Sequence, residues 1–470
     1  MERKNVLVSD EELLRQREYM RRVRAISDAR TRAPTALVDT FGCQQNVADG
    51  EVLAGMLAEM GYEPASDAAD ADVVLLNTCA VRAHAEQRVF GELGELSHTK
   101  AANPEQVIVL CGCMAQQRRV ADKVRESYRH VDLVLGAQAE WRLPELLYGV
   151  LTQRKRAFAL DDAGRIAEGL PVRRDGTVRA WVSIMYGCNN FCSYCIVPHV
   201  RGRERSRDPE KIIAECRELI AAGYKEIYLL GQNVNSYGND LDAGWDFADL
   251  LAAIDAIEGD YWLRFMSSQP KDATKKLFDT MARCKHVAKC LHLPVQSGSD
   301  RVLAAMRRPY TRRGYMDLIA YARKVMPGLV LTSDVIIGFP GETEAEAMET
   351  VELVREAKFD ALFTFLFSPR PGTPAAELPD PVPRAEKQRW FDRLLDVQNA
   401  HSASTHAAYV GKTVRVLVDG ESDDPAFPLS CRTEGNRLVR AKGDKSRIGT
   451  FAAVTVTGSN TWALYGEVCE

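Results

Sequence analysis

Between Thr35 and Phe367, short apolar runs alternate with amphipathic ones, and few folds accept that pattern. Alternation of this kind predicts a parallel sheet covered by helices. A first series places strands at Ala36–Asp39, Asp72–Leu76 and Val107–Leu110, with helices from about Asn46 to Met60, from about Arg82 and from about Ala115. A second series places strands at Ala180–Met185, Glu226–Leu230, Trp262–Met266, Leu291–Val295, Leu329–Ile337 and Ala361–Phe367. Its first helix opens at Asp208-Pro209, an N-cap followed by a first-turn proline. Six βα units predict an incomplete parallel barrel whose active site lies at the carboxyl ends of its strands.

The flanks differ. Asp10 to Ala29 forms a charged helix with few apolar residues, and it reads as an appendage. Residues 150–175 lack periodicity and form a linker. From about Ala407, the short β-rich runs Thr413–Val418, Leu438–Arg440 and Ala452–Val456, separated by Gly, Asp and Asn, predict a small β-barrel. The chain thus divides into a helical extension (1–33), a doubly wound parallel α/β domain (34–151), a partial (β/α)6 barrel (174–404) and a small all-β, OB-like barrel (407–470).

Length and charge bound the function. A chain of 470 residues makes about three domains. Its 65 acidic and 61 basic residues give a net charge of −4, which excludes a uniformly basic nucleic-acid coat and leaves local basic patches. No apolar run approaches bilayer length, and Met1-Glu-Arg-Lys opens a charge-rich stretch without a signal-peptide core, so a cytoplasmic protein without membrane contact is expected. There, 12 cysteines are metal ligands, catalytic groups or buried apolar residues rather than disulfides.

Two cysteine triads carry the chemistry. Cys188, Cys192 and Cys195 follow the first barrel strand, and Cys-x3-Cys-x2-Cys with no fourth cysteine nearby leaves one iron of a four-iron cluster open to a cofactor. Zinc is the alternative, although zinc sites usually pair Cys-x2-Cys units two by two. Cys43, Cys79 and Cys113 each follow a strand of the first series, so all three reach one sheet edge. They suit a second three-thiolate cluster; buried thiols are the plainer reading. Arg201, Arg203, Arg205 and Arg207 could attract an RNA backbone or form a salt-bridged turn with Glu204. Residues 431–447 hold six basic side chains (Arg432, Arg437, Arg440, Lys442, Lys445 and Arg447) and two acidic ones, a patch that fits RNA binding or a solvated loop.

Four segments bear a resemblance across residues 34–470: Cys188–Arg207, Leu230-Gly-Gln-Asn-Val-Asn-Ser-Tyr-Gly, His292-Leu-Pro-Val-Gln-Ser-Gly-Ser-Asp and Asp334-Val-Ile-Ile-Gly-Phe-Pro-Gly-Glu-Thr. The chain resembles the radical S-adenosylmethionine (SAM) methylthiotransferase family, which joins an amino-terminal cluster domain, a radical SAM barrel and a TRAM domain. Within it, Gln232–Tyr237 and Gln296–Asp300 are similar to the type that methylthiolates C2 of N6-dimethylallyladenosine at position 37 of tRNA. A type acting on an aspartate of a small-subunit ribosomal protein, and one acting on threonylcarbamoyl-adenosine in tRNA, are the related alternatives; a tRNA-binding redox sensor without turnover is the non-enzyme one.

The resemblance implies two [4Fe-4S] clusters, one on Cys188, Cys192 and Cys195 and one on Cys43, Cys79 and Cys113, with two SAM molecules used per turnover. It implies that Tyr194, Gly231, Gln232, Gln296, Gly338 and Gly341 border SAM. For Tyr194 a core role remains open, and for Gly338 and Gly341 a simple turn. Arg201, Arg203, Arg432, Arg437, Arg440 and Lys442 are the candidate RNA contacts. The implied partners are the tRNA anticodon stem-loop and an electron donor such as flavodoxin or ferredoxin. Cys111 lies two residues from Cys113 and could substitute for it, although register favours Cys113.

Overall fold

The computed structural model describes residues 7–80, 83–160, 164–242 and 244–469; the charged start at residues 1–4 and the expected helix start at Arg82 lie outside these. The chain forms two compact units. The first holds residues up to 175 together with 185–190 and 195–207, and the second holds 176–184, 191–194 and 208–470.

In the first unit, strands β1 (Thr35–Phe41), β2 (Glu63–Pro64), β3 (Val73–Thr78), β4 (Val107–Gly112), β5 (Leu133–Gly136) and β6 (Ala157–Ala159) form one sheet in the order β2-β1-β3-β4-β5-β6. All five pairings are parallel. Helices α1 (Asp10–Asp28), α2 (Gln44–Glu59), α3 (Ala83–Ala102), α4 (Arg118–Ser127) and α5 (Leu143–Gln153) accompany it. Every residue of β3, β4 and β5 is buried, because each strand alternates between two apolar clusters. Val73, Leu75, Val109 and Leu135 belong to one, and Val74, Leu76, Ile108 and Val134 to the other. Continuous burial of this kind marks a sheet covered on both faces.

Two departures from the sequence reading appear here. Residues 157–159, within the expected linker, add the sixth strand. Helix α1 is no appendage. A Ser9–Glu12 capping box starts it, Met20 and Val23 enter the core beside Leu53 and Met60, and the Ser27 hydroxyl donates to the Met60 carbonyl at 2.8 Å. Its apolar side chains are few but well placed, so composition understated its packing.

The second unit opens with β7 (Arg179–Ser183); the chain then contributes β8 (Met185–Tyr186), α6 (Val197–Arg201) and β9 (Arg205–Ser206) to the first unit. Back in the second unit, β10 (Glu226–Leu230), β11 (Trp262–Phe265), β12 (Cys290–His292), β13 (Val330–Ile337) and β14 (Ala361–Leu366) follow. They form two parallel three-stranded sheets, β11-β10-β7 and β12-β13-β14. The parallel bridge Leu263–Val287 pairs β11 with the segment that leads into β12, and the two sheets make up the expected incomplete barrel. Helix α7 (Arg384–Ala407) leads to a closed barrel of β15 (Thr413–Glu421), β16 (Leu429–Thr433), β17 (Leu438–Lys442), β18 (Phe451–Ser459) and β19 (Leu464–Val468), in the order β15-β16-β17-β19-β18.

Glu226, fully buried at the start of β10, ties these parts together by accepting ion pairs from Arg179 and Arg264. Arg264 also donates to the backbone carbonyls of Thr433, at 2.9 Å, and Glu434 in the closed barrel.

Truncating Met20 to Ala should cost about 2–5 kcal/mol, the usual range for a buried methionine. Denaturant unfolding of the full chain checks this; a cost near zero would make α1 a true appendage.

Candidate metal and cofactor sites

In the first unit, neighbouring strands end in register: Phe41 of β1 faces Thr78 of β3, and Thr78 faces Gly112 of β4. Cys43, Cys79 and Cys113 follow these ends by one or two residues. Gly112 makes the last turn possible. Its φ is +92°, and a Cβ there would sit 2.5 Å from the Thr78 carbonyl oxygen. Buried amides hold the loops. Asn46 Nδ2 donates to Asn77 Oδ1 at 3.1 Å and to the Thr78 carbonyl at 3.2 Å, and Asn77 Nδ2 donates to the Asn46 carbonyl at 2.7 Å.

The thiols differ electrically. A hydrogen bond from Cys79, opposed by burial and aided by the Arg201 cation, draws Cys43 down to about 6. Burial pushes Cys113 up to about 12, against the pull of Arg201. Cys111 lies on β4 among Leu75, Val109 and Leu135, whereas Cys113 lies just past the strand's end and packs with Ala80, Ile196 and Val200. The turn at Gly112, with φ +92°, breaks the strand's period between the two thiols and gives them different surroundings.

Arg201 departs from its expected place at an RNA surface. It is 5% exposed, and Nη2 is 2.6 Å from Asp49 Oδ2 while Nε is 3.0 Å from Cys113 Sγ. Gln45 Nε2 holds the other Asp49 oxygen at 3.0 Å. Glu140, also buried here, is pushed well above the usual carboxylate range by burial and by Asp49, with Arg201 opposing. Arg205 donates to the carbonyls of Arg203 and Arg201, and Arg207 forms a two-pronged pair with Glu168; Arg203 is exposed.

Cys188 and Cys195 belong to the first unit and Cys192 to the second. Gly187, at φ +76°, lets the chain turn into Cys188, where a Cβ would sit 2.0 Å from the Arg203 carbonyl oxygen. The Cys188 amide donates to the Gly202 carbonyl at 3.1 Å, and Asn190 Nδ2 lies 3.3 Å from Cys188 Sγ. In the second unit, Ser193 is fixed through its amide to Met306 O and its hydroxyl to Ala305 O. Arg308, which no sequence motif flagged, is half-buried near Cys192. It donates to Tyr194 Oη at 2.7 Å and to Gln269 Oε1 at 2.6 Å. Tyr194 packs against the cluster of Val302, Met306 and Phe339, so its ring has a structural setting.

The remaining candidates lie at strand ends of the partial barrel. Gly231 is buried and Gln232 half-buried directly after β10. Gln296 is buried with φ +70°, and Ser267, after β11, has φ +69°. Non-glycine residues held in this region cluster at functional sites. Gly338 is crowded by Lys387, whose Nζ donates to the Gly338 carbonyl at 2.7 Å. Gly341 is an exposed turn whose carbonyl accepts from Arg301. Directly after Gly341, Glu342 is buried, accepts from the amides of Gly338 and Phe339, and is raised by burial to about 7.

A cavity of about 370 Å³ in the second unit is lined by Arg264, His292, Phe363, Arg432 and Trp462 among others. Phe363 and Phe365 are 48% and 46% exposed on β14, and Trp462 is 75% exposed. The cations expected to bind RNA are largely matched within the fold. Arg437 pairs with Asp360, Arg440 with Asp423 at 2.8 Å, Lys442 with Glu467 at 2.8 Å and Arg432 with Asp419 at 3.5 Å. Arg437 is 7% exposed and lines the same cavity.

No three His, Cys, Asp or Glu side chains among the described residues are gathered as around a single ion. A four-iron cluster asks for less convergence, because each thiolate takes a different iron. Three strand-end thiols, one of them acidic and another facing a guanidinium, fit such a group.

A parallel cluster domain, a partial barrel with a three-cysteine loop and a closed β-barrel together define a radical SAM enzyme of the TRAM-containing class. Family models agree along the chain: the uncharacterized protein family UPF0004 over residues 35–136, the radical SAM superfamily over 182–354 and the TRAM domain over 407–469. The chain is 44% identical over 467 residues to a tRNA-2-methylthio-N(6)-dimethylallyladenosine synthase of Thermoanaerobacter sp. (strain X514), covering 99% of both. It is 46% identical over 437 residues to the synthase of that name from Moorella thermoacetica, covering 93% of this chain and 98% of that one. The solved radical S-adenosylmethionine methyltransferase TsrM from Kitasatospora setae shares the fold, with a TM-score of 0.54 and 14% identity over 73% of this chain and 77% of that one. The chain belongs to the family of tRNA-2-methylthio-N(6)-dimethylallyladenosine synthases.

Glu342 yields a pH prediction. Its value is raised from 4.5 to about 7, so the folded chain keeps a proton there that the unfolded chain has released. This contribution is full below pH 4.5 and is lost as pH rises towards 7, so Glu342→Gln should flatten the fall in stability across that window. Denaturant melts of parent and variant from pH 4 to 8 check the slope; parallel curves would refute it.

Proposed function

We propose that this chain adds a methylthio group to C2 of N6-dimethylallyladenosine, next to the anticodon of tRNA. The observation that carries this reading is the full-length relation to the synthases, which spans the segments that bear both cysteine triads of this chain. Residues Cys188, Cys192 and Cys195 would hold one [4Fe-4S] cluster, and Cys43, Cys79 and Cys113 another. With two SAM molecules bound in turn, these groups supply a methyl group, a sulfur and the abstraction of hydrogen from a carbon that no base of ordinary pKa could deprotonate.

The chain's own residues bind and orient. Arg308 fixes Tyr194 and so the loop between Cys192 and Cys195. Gln296 and Ser267, held at positive φ, set the backbone at the ends of β12 and β11, where Gly231 and Gln232 also lie. Gly338 and Glu342 shape the turn after β13. The target base must leave the anticodon-loop stack, and its neighbours then lose stacking partners. Phe363, Phe365 and Trp462 present aromatic faces that can replace them. The electron would come from a flavodoxin or ferredoxin, and the enzyme would act in the cytoplasm, with its tRNA. No helix among the described residues is long and apolar enough to cross a membrane.

Nucleoside mass spectrometry of tRNA from cells lacking the protein should show the methylthio group missing from dimethylallyladenosine; loss from threonylcarbamoyl-adenosine alone would overturn the substrate. Reconstituted chain should hold about eight iron atoms, and alanine at Cys43, Cys79 and Cys113 should remove about half. Iron unchanged in that variant would refute the second cluster. Trp462→Ala should weaken binding of the anticodon stem-loop by about 1–3 kcal/mol, the worth of one base stacked on an aromatic ring. Unchanged affinity in a binding titration would remove Trp462 from the RNA surface.

A further inference from the structure

Arg201 poses a question that neither RNA binding nor simple packing answers. A guanidinium taken out of water costs several kcal/mol unless its hydrogen bonds are met. Asp49 meets one side at 2.6 Å, which would suffice to tie α6 to α2. The Nε–H, however, is aimed at Cys113 Sγ from 3.0 Å. A neutral thiol is a weak acceptor; a thiolate is a strong one, and a bond from a cation to it is among the stronger kinds. The geometry makes sense when Cys113 is deprotonated, as it is when it binds a metal.

Asp49 and Glu140, also near Cys113, act against a thiolate there, and among the groups around Cys113 it is Arg201 that favours one. Ile196 and Val200 pack against Cys113 and Ala80, which fixes the helix that carries Arg201. The Gln45 amide on Asp49 orients the carboxylate that orients the guanidinium. A chain of partners of this kind is how a protein tunes a metal through groups that do not touch it.

We propose that Arg201 is a positioning residue for the auxiliary cluster: its fixed positive charge, donated to the Cys113 sulfur, raises the reduction potential of that cluster. This rests on the reading that Cys43, Cys79 and Cys113 hold an iron–sulfur cluster. Hydrogen bonds to ligand sulfurs and local net charge are the main protein levers on such potentials. Arg201 supplies both.

The test uses the full chain with Cys188, Cys192 and Cys195 replaced by Ala, so that one cluster remains. About four iron atoms per chain establish that the auxiliary site is loaded, and no iron would overturn the underlying reading and the proposal with it. Redox titration followed by electron paramagnetic resonance then compares Arg201→Gln and Arg201→Lys with this parent. Arg201→Gln should shift the oxidised-to-reduced ratio at a given potential about tenfold towards oxidised, which is about 59 mV downward for one electron. Arg201→Lys, which keeps the charge, should stay within about threefold of the parent, less than half that shift on the logarithmic scale. A loaded Arg201→Gln at the parent's potential overturns the proposal, as does a Lys variant as low as the Gln one. If the Gln variant holds no iron, the Lys variant decides alone: the parental potential upholds the charge, and a tenfold fall overturns it.

Discussion

In a parallel sheet every strand ends on the same edge, and the chemistry of this protein depends on that constraint. The two helix-covered sheet systems obey it separately. In the first unit it lines up the ends of β1, β3 and β4, so that thiols some 35 residues apart in sequence become neighbours. In the second it gathers the turns after β10, β11, β12 and β13, where Gly231, Ser267, Gln296 and Gly338 lie. Strand direction positions these groups, and side-chain detail then tunes them.

The fold was legible because it is written in period and punctuation. All six strands of the partial barrel lie within a few residues of the apolar runs that announced them. What escaped were elements whose signal is too short to show a period. β6 has three residues and β2 two, and both are specified by the strands they pair with rather than by their own composition. Helix α1 was expected as a helix, and what escaped was its packing, since its many charges hid the few side chains that reach the core.

Charge was the least legible feature. Six basic residues in seventeen fitted an open cationic face or a solvated loop, yet the acids that answer them come from elsewhere: Asp360 from just before β14, Asp419 and Glu421 from β15, Glu467 from β19. Local counting cannot see partners brought in by the fold. Arg201 is the sharper case. Its neighbours in sequence are cations, but its neighbours in space are a carboxylate and a thiol. The strand-end cysteines were easier to place than the arginines because a short side chain just past a strand stays at the sheet's edge, whereas a long cationic side chain can reach in many directions. Arg308 had no local pattern at all; only the tertiary structure brings it to Tyr194.

Arg264 grips the turn at Thr433 and Glu434 by backbone oxygens rather than by side chains. A contact to carbonyls reads the shape of a turn and is indifferent to which residues form it. The carboxyl-terminal barrel is thus free to vary at this seam so long as the turn keeps its form. Elsewhere along the seam the demand is stricter, since the ion pairs of Arg179 with Asp419 and of Arg437 with Asp360 need particular side chains on both sides.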